Sequence, residues 1–167
     1  INDTLVSAAK RGLRVVRLKC GDPGIIARGA EEAAALKGAG IDYEIVPGVT
    51  AASGAAAATG GFLTERGKAD TLVLTTGTMA DPTMRTDWVG LMQDRCRVVV
   101  YMGVGAAPEI ESTLRSAGLA DQVSVQIIAN AQRADQRIAT CLAEDLSENL
   151  QQNQIANTAI LVLEFVD

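Results

Sequence analysis

The chain has 167 residues, of which 48% are hydrophobic and 21% are charged, so it is long enough for one globular domain or two small ones. Its net charge of −5 gives no general attraction to nucleic acid or to an anionic membrane surface. Histidine is absent, which excludes Ser-His and Cys-His catalytic dyads and zinc sites built on histidine.

Helical and strand-like periods alternate along nearly the whole chain, which indicates an α/β fold with sheets flanked by helices. Alanine-rich stretches with acidic first turns predict helices, and short runs of β-branched residues predict strands. Before residue 60 the pattern predicts a helix over 2–10 with Gly12 as its C-terminal cap, a strand over 13–18, a helix over 30–37, a strand over 43–46 and a helix over 51–59.

The segment 60–70 breaks this alternation with three glycines among polar residues, so we predict a linker there between two α/β domains. The first domain is expected over 1–59 and the second over 71–167. In the second domain the same periods predict strands over 71–75, 96–101, 124–129, 136–139 and 159–166, and helices over 87–92, 108–117 and 142–150.

The three cysteines, Cys20, Cys96 and Cys141, are widely separated and odd in number. This favours reduced thiols in a cytoplasmic protein over a disulfide framework, and no pair has the spacing of metal ligands, so no metal site is predicted. No apolar run reaches the about 18 residues that span a bilayer, and no signal peptide is recognisable. Ile1 already reads as part of a helix, so we expect the encoded protein to begin upstream of it.

Four loops that follow predicted strands are candidate ligand-binding segments, because ligands of open α/β sheets bind beyond the carboxyl ends of the strands. In Gly-Asp-Pro at 21–23, the glycine lets a ligand approach the backbone and the carboxylate suits a ribose hydroxyl or an amino group; a simple turn is the alternative. Neither a Walker loop nor a Gly-x-Gly-x-x-Gly fingerprint is present. The four loops are 20–29, 47–50, 102–105 and 130–136.

Arg28 and Glu31 form a second candidate pair, at the start of the predicted helix over 30–37. The planar guanidinium of Arg28 matches a substrate carboxylate bidentately, and Glu31 lies in the first helical turn. Taken by themselves, the two residues are better explained as a solvent-exposed loop charge and an ordinary acidic helix start.

Taken in order, the motifs of this chain resemble those of the tetrapyrrole methylase family, and within it most closely the uroporphyrinogen-III C-methyltransferases. The resemblance covers essentially the whole chain, and it is specific through the order and spacing of its motifs rather than through any one of them. They are Gly-Asp-Pro at 21–23, Arg-Gly-Ala-Glu-Glu at 28–32, Pro-Gly-Val-Thr-Ala at 47–51, Leu-Thr-Glu-Arg-Gly at 63–67, Tyr-Met-Gly at 101–103 and Asp-Gln-Arg at 135–137.

The resemblance implies a two-domain α/β fold of mixed sheets flanked by helices, with S-adenosylmethionine bound in a cleft between the domains. The segment 1–59 would then be the C-terminal portion of the first domain. For Met102, packing in the core fits the sequence as well as a cofactor contact does. The family's cofactor contacts correspond to Cys20, Gly21, Asp22, Ile25, Thr50, Ala51, Met102 and Ala131.

The reaction implied by the resemblance is methyl transfer from S-adenosylmethionine to C2 and C7 of uroporphyrinogen III, giving precorrin-2 and S-adenosylhomocysteine. The nucleophile is a substrate carbon, so catalysis needs alignment, charge stabilisation and proton removal rather than a catalytic serine or cysteine. By the same resemblance, Arg28 would hold an acetate or propionate of the tetrapyrrole, and Glu31 would orient it or transfer a proton. A cytoplasmic homodimer is also expected.

Several positions depart from the family pattern and bear on substrate choice. Cys20 replaces the first glycine of the family's Gly-Gly-Asp loop, Gly24 and Ile26 stand where aromatic residues are usual, and Glu65 and Thr78 each replace a histidine. The family's glycine-rich N-terminal loop, and the upstream Asp and Lys assigned to proton transfer, have no counterpart in this sequence.

Other functions stay open at this point. The substrate could be a later corrin intermediate, which methylation assays with both substrates would distinguish. The departures at Cys20, Ile26 and Glu65 also fit a domain that binds S-adenosylmethionine or a tetrapyrrole without turnover. An oxidoreductase is disfavoured because the glycine fingerprint is absent, and nucleic-acid binding because aromatic residues are few and basic residues are scattered.

Overall fold

The computed structural model describes residues 1–81, 83–156 and 158–166. The chain divides into two compact units, Ile1–Thr50 and Ala51–Asp167. The segment 60–70 therefore lies inside the second unit, where Glu65 and Ala69 form an isolated antiparallel bridge. The boundary between the two compact units lies between Thr50 and Ala51, ahead of the linker predicted over 60–70. The domain limits of 1–59 and 71–167 stay a prediction.

The first unit contains two helices that pack against each other, α1 over Asn2–Lys10 and α2 over Gly29–Gly38. The bounds predicted for α1 are confirmed, and Gly12 follows it with a φ of 78°, a left-handed conformation that glycine adopts without strain. The predicted helix over 30–37 is confirmed in α2, with Glu31 and Glu32 in its first turn. No residue of this unit is buried.

The strands predicted over 13–18 and 43–46 are wrong, because the structure forms no strand in either segment. Both runs have the residue types that strands prefer, but a strand also needs a hydrogen-bonded neighbour, and neither segment has one among the described residues. Their apolar side chains are correspondingly exposed, with Val16 at 81%, Leu18 at 84% and Val46 at 70%. Residue preference alone overstated the local structure here.

The second unit is built on a five-stranded sheet in the order β1-β2-β5-β3-β4. β1 and β2 are parallel, and the other neighbouring pairs are antiparallel. β2 and β3 both run antiparallel to β5, so their carboxyl ends lie at the same edge of the sheet. The strands are β1 over Thr71–Thr76, β2 over Cys96–Tyr101, β3 over Val123–Ala129, β4 over Arg137–Leu142 and β5 over Ala159–Phe165.

Helices cover this sheet and close its hydrophobic core. The predicted α/β class with a mixed sheet flanked by helices is confirmed, but the helix predicted over 142–150 begins too early, because Leu142 still pairs in β4 and a 3-10 turn over Ala143–Asp145 precedes the α-helix. The core includes Val98, Ile110, Leu114, Ile127, Leu146 and Leu161. The helices are α3 over Ala51–Ala58, α4 over Trp88–Leu91, α5 over Ala107–Ser116 and α6 over Leu146–Gln152, with a further 3-10 turn over Gly103–Ala106.

Among the residues that the structure describes, no helix combines the length and the apolar composition that crossing a membrane requires.

Candidate functional site

The Asp22 carboxylate joins two of the predicted ligand loops in the first unit, 20–29 and 47–50. Its Oδ1 accepts a hydrogen bond from the Gly24 N–H at 2.7 Å, and its Oδ2 accepts one from the Gly48 N–H at 2.9 Å. The bond from Gly48, followed by that from Gly24, lowers the pKa of Asp22 below its usual value, because both stabilise the charged form. Asp22 is therefore an ionised group with both oxygens engaged by the protein's own backbone.

The two loops approach each other closely because glycines stand where they meet. A Cβ on Gly48 would overlap the carbonyl oxygen of Gly21, and a Cβ on Gly29 would overlap that of Pro23. Gly21 itself has a φ of 74°, a backbone conformation that other residues adopt only with strain. The bare backbone at these positions is a structural requirement of the loop packing.

The remaining predicted cofactor residues of the first unit lie on the same two loops. Cys20 is an exposed free thiol, and Ile25 is half-buried and donates its N–H to the Asp22 carbonyl at 3.3 Å. Thr50 is half-buried at the end of the unit. The structure thus brings Cys20, Gly21, Asp22 and Ile25 together on one loop and ties that loop to the segment that carries Thr50.

Arg28 and Glu31 form a bidentate ion pair with each other. Nε of Arg28 lies 3.1 Å from Oε1 of Glu31, and Nη2 lies 2.7 Å from Oε2. Arg28 has a left-handed backbone with a φ of 57° just before α2, and its side chain is 81% exposed. The hydrogen bond from Arg28 lowers the pKa of Glu31, so this carboxylate stays ionised and is poorly suited to donate a proton.

A second ion-pair cluster in the first unit escaped the sequence analysis. Glu32 accepts from Nζ of Lys19 at 3.0 Å and from Nε of Arg17 at 3.1 Å, and the Lys19 and Glu32 side chains are only 11% and 13% exposed. The bond from Lys19, with that from Arg17, lowers the pKa of Glu32. Arg17 and Lys19 are two residues apart, so an extended backbone places both on one face, which was the available signal.

In the second unit, Met102 lies in an exposed turn at the carboxyl end of β2. It has a left-handed φ of 53°, its side chain is 50% exposed, and the 3-10 turn over 103–106 follows it. Gly77 packs directly on this turn and donates its N–H to the Tyr101 carbonyl at 2.7 Å. The alternative in which Met102 packs in the core is wrong, because half of the residue is open to solvent.

Two hydrogen bonds connect the segments that carry Ala51, Met102 and Ala131, the predicted cofactor positions of the second unit. The Tyr101 hydroxyl accepts from the Ala52 N–H at 3.2 Å, which joins the start of α3, where Ala51 lies, to the end of β2. Nε2 of Gln132, next to Ala131, donates to the Gly54 carbonyl at 3.4 Å. Ala51, Met102 and Ala131 therefore surround one edge of the sheet. This role of the Tyr101 side chain was not predicted from the sequence, where the residue stands only within the Tyr-Met-Gly motif.

Glu65, which stands where the family has a histidine, takes part in a local turn of the second unit. Its carboxylate lies 3.7 Å from Nζ of Lys68, and its backbone pairs with Ala69.

Within the described part of the chain, no group of three or more Cys, Asp or Glu side chains is arranged to hold a metal ion.

The sequence of the chain matches a known family and curated proteins. Residues 1–147 match the family described as Tetrapyrrole (Corrin/Porphyrin) Methylases. Siroheme synthase 1 of Yersinia enterocolitica is 42% identical over 167 residues, which are 99% of this chain and 35% of that protein. Siroheme synthase of Xylella fastidiosa is 39% identical over 163 residues, 98% of this chain and 34% of that protein. The chain spans about a third of the length of these relatives.

Solved structures share the fold. The uroporphyrin-III C-methyl transferase from Thermus thermophilus complexed with S-adenyl homocysteine is 28% identical, with a TM-score of 0.81 over 98% of this chain and 71% of that chain. The cobalt precorrin-4 methyltransferase CbiF is 26% identical, with a TM-score of 0.85 over 98% of this chain and 69% of that chain.

Proposed function

The chain belongs to the tetrapyrrole methylase family, and from that premise we propose that it acts as an S-adenosylmethionine-dependent methyltransferase on a tetrapyrrole carbon. We further propose that the substrate is uroporphyrinogen III, methylated at C2 and C7 to give precorrin-2. The similarity to siroheme synthases, at 39% and 42% identity, supports this substrate. In the structure, the observation that carries the proposal is the joined pair of loops around Asp22.

The described residues fit an adenosyl ligand. S-adenosylmethionine supplies a methyl group on a positively charged sulfur, and its product is S-adenosylhomocysteine. Gly21 has no side chain to cover its main-chain groups, which suits close contact with a nucleoside. The eight positions that we propose to contact the cofactor are Cys20, Gly21, Asp22, Ile25, Thr50, Ala51, Met102 and Ala131.

The protein's own contribution to the reaction is alignment and charge. The nucleophile is an electron-rich substrate carbon, so no side chain needs to form a covalent intermediate. Arg28 is the group that would bind an acidic side chain of the tetrapyrrole, because its guanidinium is exposed and fixed at the start of α2. Glu31 holds Arg28 in place through the bidentate contact, and its lowered pKa favours this orienting role over proton transfer.

A later corrin intermediate is the second candidate substrate, because the structural match to the cobalt precorrin-4 methyltransferase has a TM-score of 0.85. Incubating the protein with methyl-labelled S-adenosylmethionine and either uroporphyrinogen III or cobalt-precorrin-4 separates the two. We expect label transfer to uroporphyrinogen III. Transfer only to cobalt-precorrin-4 would move the substrate to the corrin pathway. Binding of S-adenosylhomocysteine without transfer to either would indicate the non-catalytic alternative.

Two substitutions test the assigned residues. Thr50→Val should weaken S-adenosylhomocysteine binding about fivefold or more, because a hydrogen bond contributes about 1 kcal/mol. Arg28→Ala should raise the KM for the tetrapyrrole about tenfold and leave cofactor affinity unchanged, since a charge-assisted bond is lost. Arg14→Ala, at an exposed arginine of the same unit, is the matched control and should change neither value. The reverse pattern for Arg28 would remove it from the substrate site.

The proposed assembly is a cytoplasmic homodimer, which rests on the family resemblance. Light scattering coupled to size exclusion measures it directly, and a monomer mass at micromolar concentration would contradict it.

A further inference from the structure

We propose that Asp22 is a positioning residue whose carboxylate fastens the 47–50 loop to the 20–29 loop, so that the backbone groups of both loops hold one arrangement before the cofactor binds. This inference rests on the proposed function, because it assigns the two loops to S-adenosylmethionine. It differs from a direct cofactor contact by the Asp22 side chain, since the carboxylate acts here through Gly24 and Gly48.

Both oxygens of the Asp22 carboxylate accept hydrogen bonds from the backbone. One accepts from Gly24 at 2.7 Å within the same loop, which fixes the turn that follows Asp22. The other accepts from Gly48 at 2.9 Å, across 26 residues of sequence. A carboxylate accepts from two N–H donors on two separate oxygens, whereas the amide of the same size has one acceptor oxygen and an NH2 donor group in place of the other.

The 47–50 loop has no free space on the side of Gly48 that faces Gly21. A Cβ on this residue would overlap the Gly21 carbonyl oxygen and come within 3.1 Å of its carbonyl carbon. The 47–50 loop therefore rests on the backbone of the residue that precedes Asp22. A hydrogen bond at a contact this close sets the position of the next residues along the chain, including Thr50.

The 47–50 loop has few other restraints within this unit. No residue of Ile1–Thr50 is buried, and the segment 43–46, which leads into the 47–50 loop, is not paired in a sheet. Strand pairing, which often holds such loops, is therefore missing from the described residues 1–50, and the packing there leaves every residue at least partly exposed. The two hydrogen bonds of Asp22 therefore contribute more to holding the 47–50 loop than they would in a well-buried unit.

The experiment compares the protein with Asp22→Asn, which keeps the size of the side chain but can accept from only one of the two amides. Gly48→Ala is a second variant that pushes the same loops apart while Asp22 remains. Asp42→Asn, at an exposed aspartate of the same unit, is the matched control. The measurements are the Kd for S-adenosylhomocysteine by calorimetry and the amide resonances of Gly24 and Gly48 by NMR.

We expect Asp22→Asn and Gly48→Ala each to raise the Kd about tenfold, and Asp42→Asn to leave it unchanged. In Asp22→Asn the Gly24 or Gly48 amide proton should move upfield, which reports the lost bond itself, while the rest of the spectrum shows a folded protein. An unchanged Kd in both variants, or unchanged Gly24 and Gly48 resonances in Asp22→Asn, would overturn the inference. Failure of the unsubstituted protein to bind would contradict the proposed function instead, and the resonances would still test the fastening.

Discussion

Gly77→Ala offers a direct test of how the turn at Met102 is built. A Cβ at this position would lie 2.7 Å from the Met102 carbonyl oxygen, 2.9 Å from the Ala106 Cβ and 3.0 Å from the Gly103 Cα. Two of these three atoms belong to the backbone, so no side-chain rotation relieves the overlap. The φ of Gly77 is not left-handed, so alanine is compatible with the backbone conformation and the whole cost comes from crowding.

We expect a loss of about 1–3 kcal/mol in the free energy of unfolding, the usual range for overpacking. This corresponds to a fall of about 3–10 °C in the midpoint of thermal unfolding for a chain of this size. The matched control is Gly105→Ala in the adjacent 3-10 turn, where a Cβ meets no atom within 4 Å. That change should be neutral or stabilising by about 0.4–1 kcal/mol.

Circular dichroism during thermal and urea unfolding measures both variants against the original protein. The same variants should also differ in ligand binding, because the crowding at Gly77 displaces the Met102 turn, whereas Gly105→Ala leaves it in place. If Gly77→Ala unfolds within about 0.5 kcal/mol of Gly105→Ala, then the turn yields easily and the reasoning from close contact is refuted.

Three further predictions concern the second unit and the thiols. Tyr101→Phe should cost about 1–2 kcal/mol in urea unfolding, because the buried N–H of Ala52 loses its acceptor, and an unchanged midpoint would contradict this role. Leu114→Ala should cost about 2–5 kcal/mol, since this side chain is fully buried in the core. Burial raises the pKa of Cys141 to about 11, so at about pH 8 iodoacetamide should label the exposed Cys20 well before it labels Cys141. Peptide mass mapping measures the order of labelling, and faster labelling of Cys141 would contradict this prediction.

The fold of the second unit could be predicted well because its signals are local. β2 over Cys96–Tyr101 combines β-branched residues with burial in the sheet, and the predicted bounds are confirmed. The error at Leu142 has a non-local cause: a helical period that starts inside a strand cannot be separated from it without knowledge of the β3–β4 pairing. The pairing of β4 with β3 sets the boundary between β4 and the following helix, and a single segment of sequence does not show which strand it pairs with.

The first unit shows the opposite case. Valines and leucines over 13–18 predict a strand. A strand forms only when a second segment pairs with it through hydrogen bonds, and the local sequence pattern does not show whether that partner is present. The bond between Asp22 and Gly48 has the same character, because 26 residues separate the partners. By contrast, Arg28 and Glu31 are only three residues apart, so their ion pair is a local contact, although it was not among the predictions from the sequence.

The absence of buried residues in Ile1–Thr50 has a calorimetric consequence. The heat capacity increment of unfolding comes mainly from apolar surface that becomes hydrated, and in the described chain every fully buried hydrophobic residue belongs to 51–166. A calorimetric transition of this chain would therefore report the melting of the five-stranded sheet and its helices. Residues 1–50 would contribute little to its cooperativity, and their amides would exchange with solvent through small local openings.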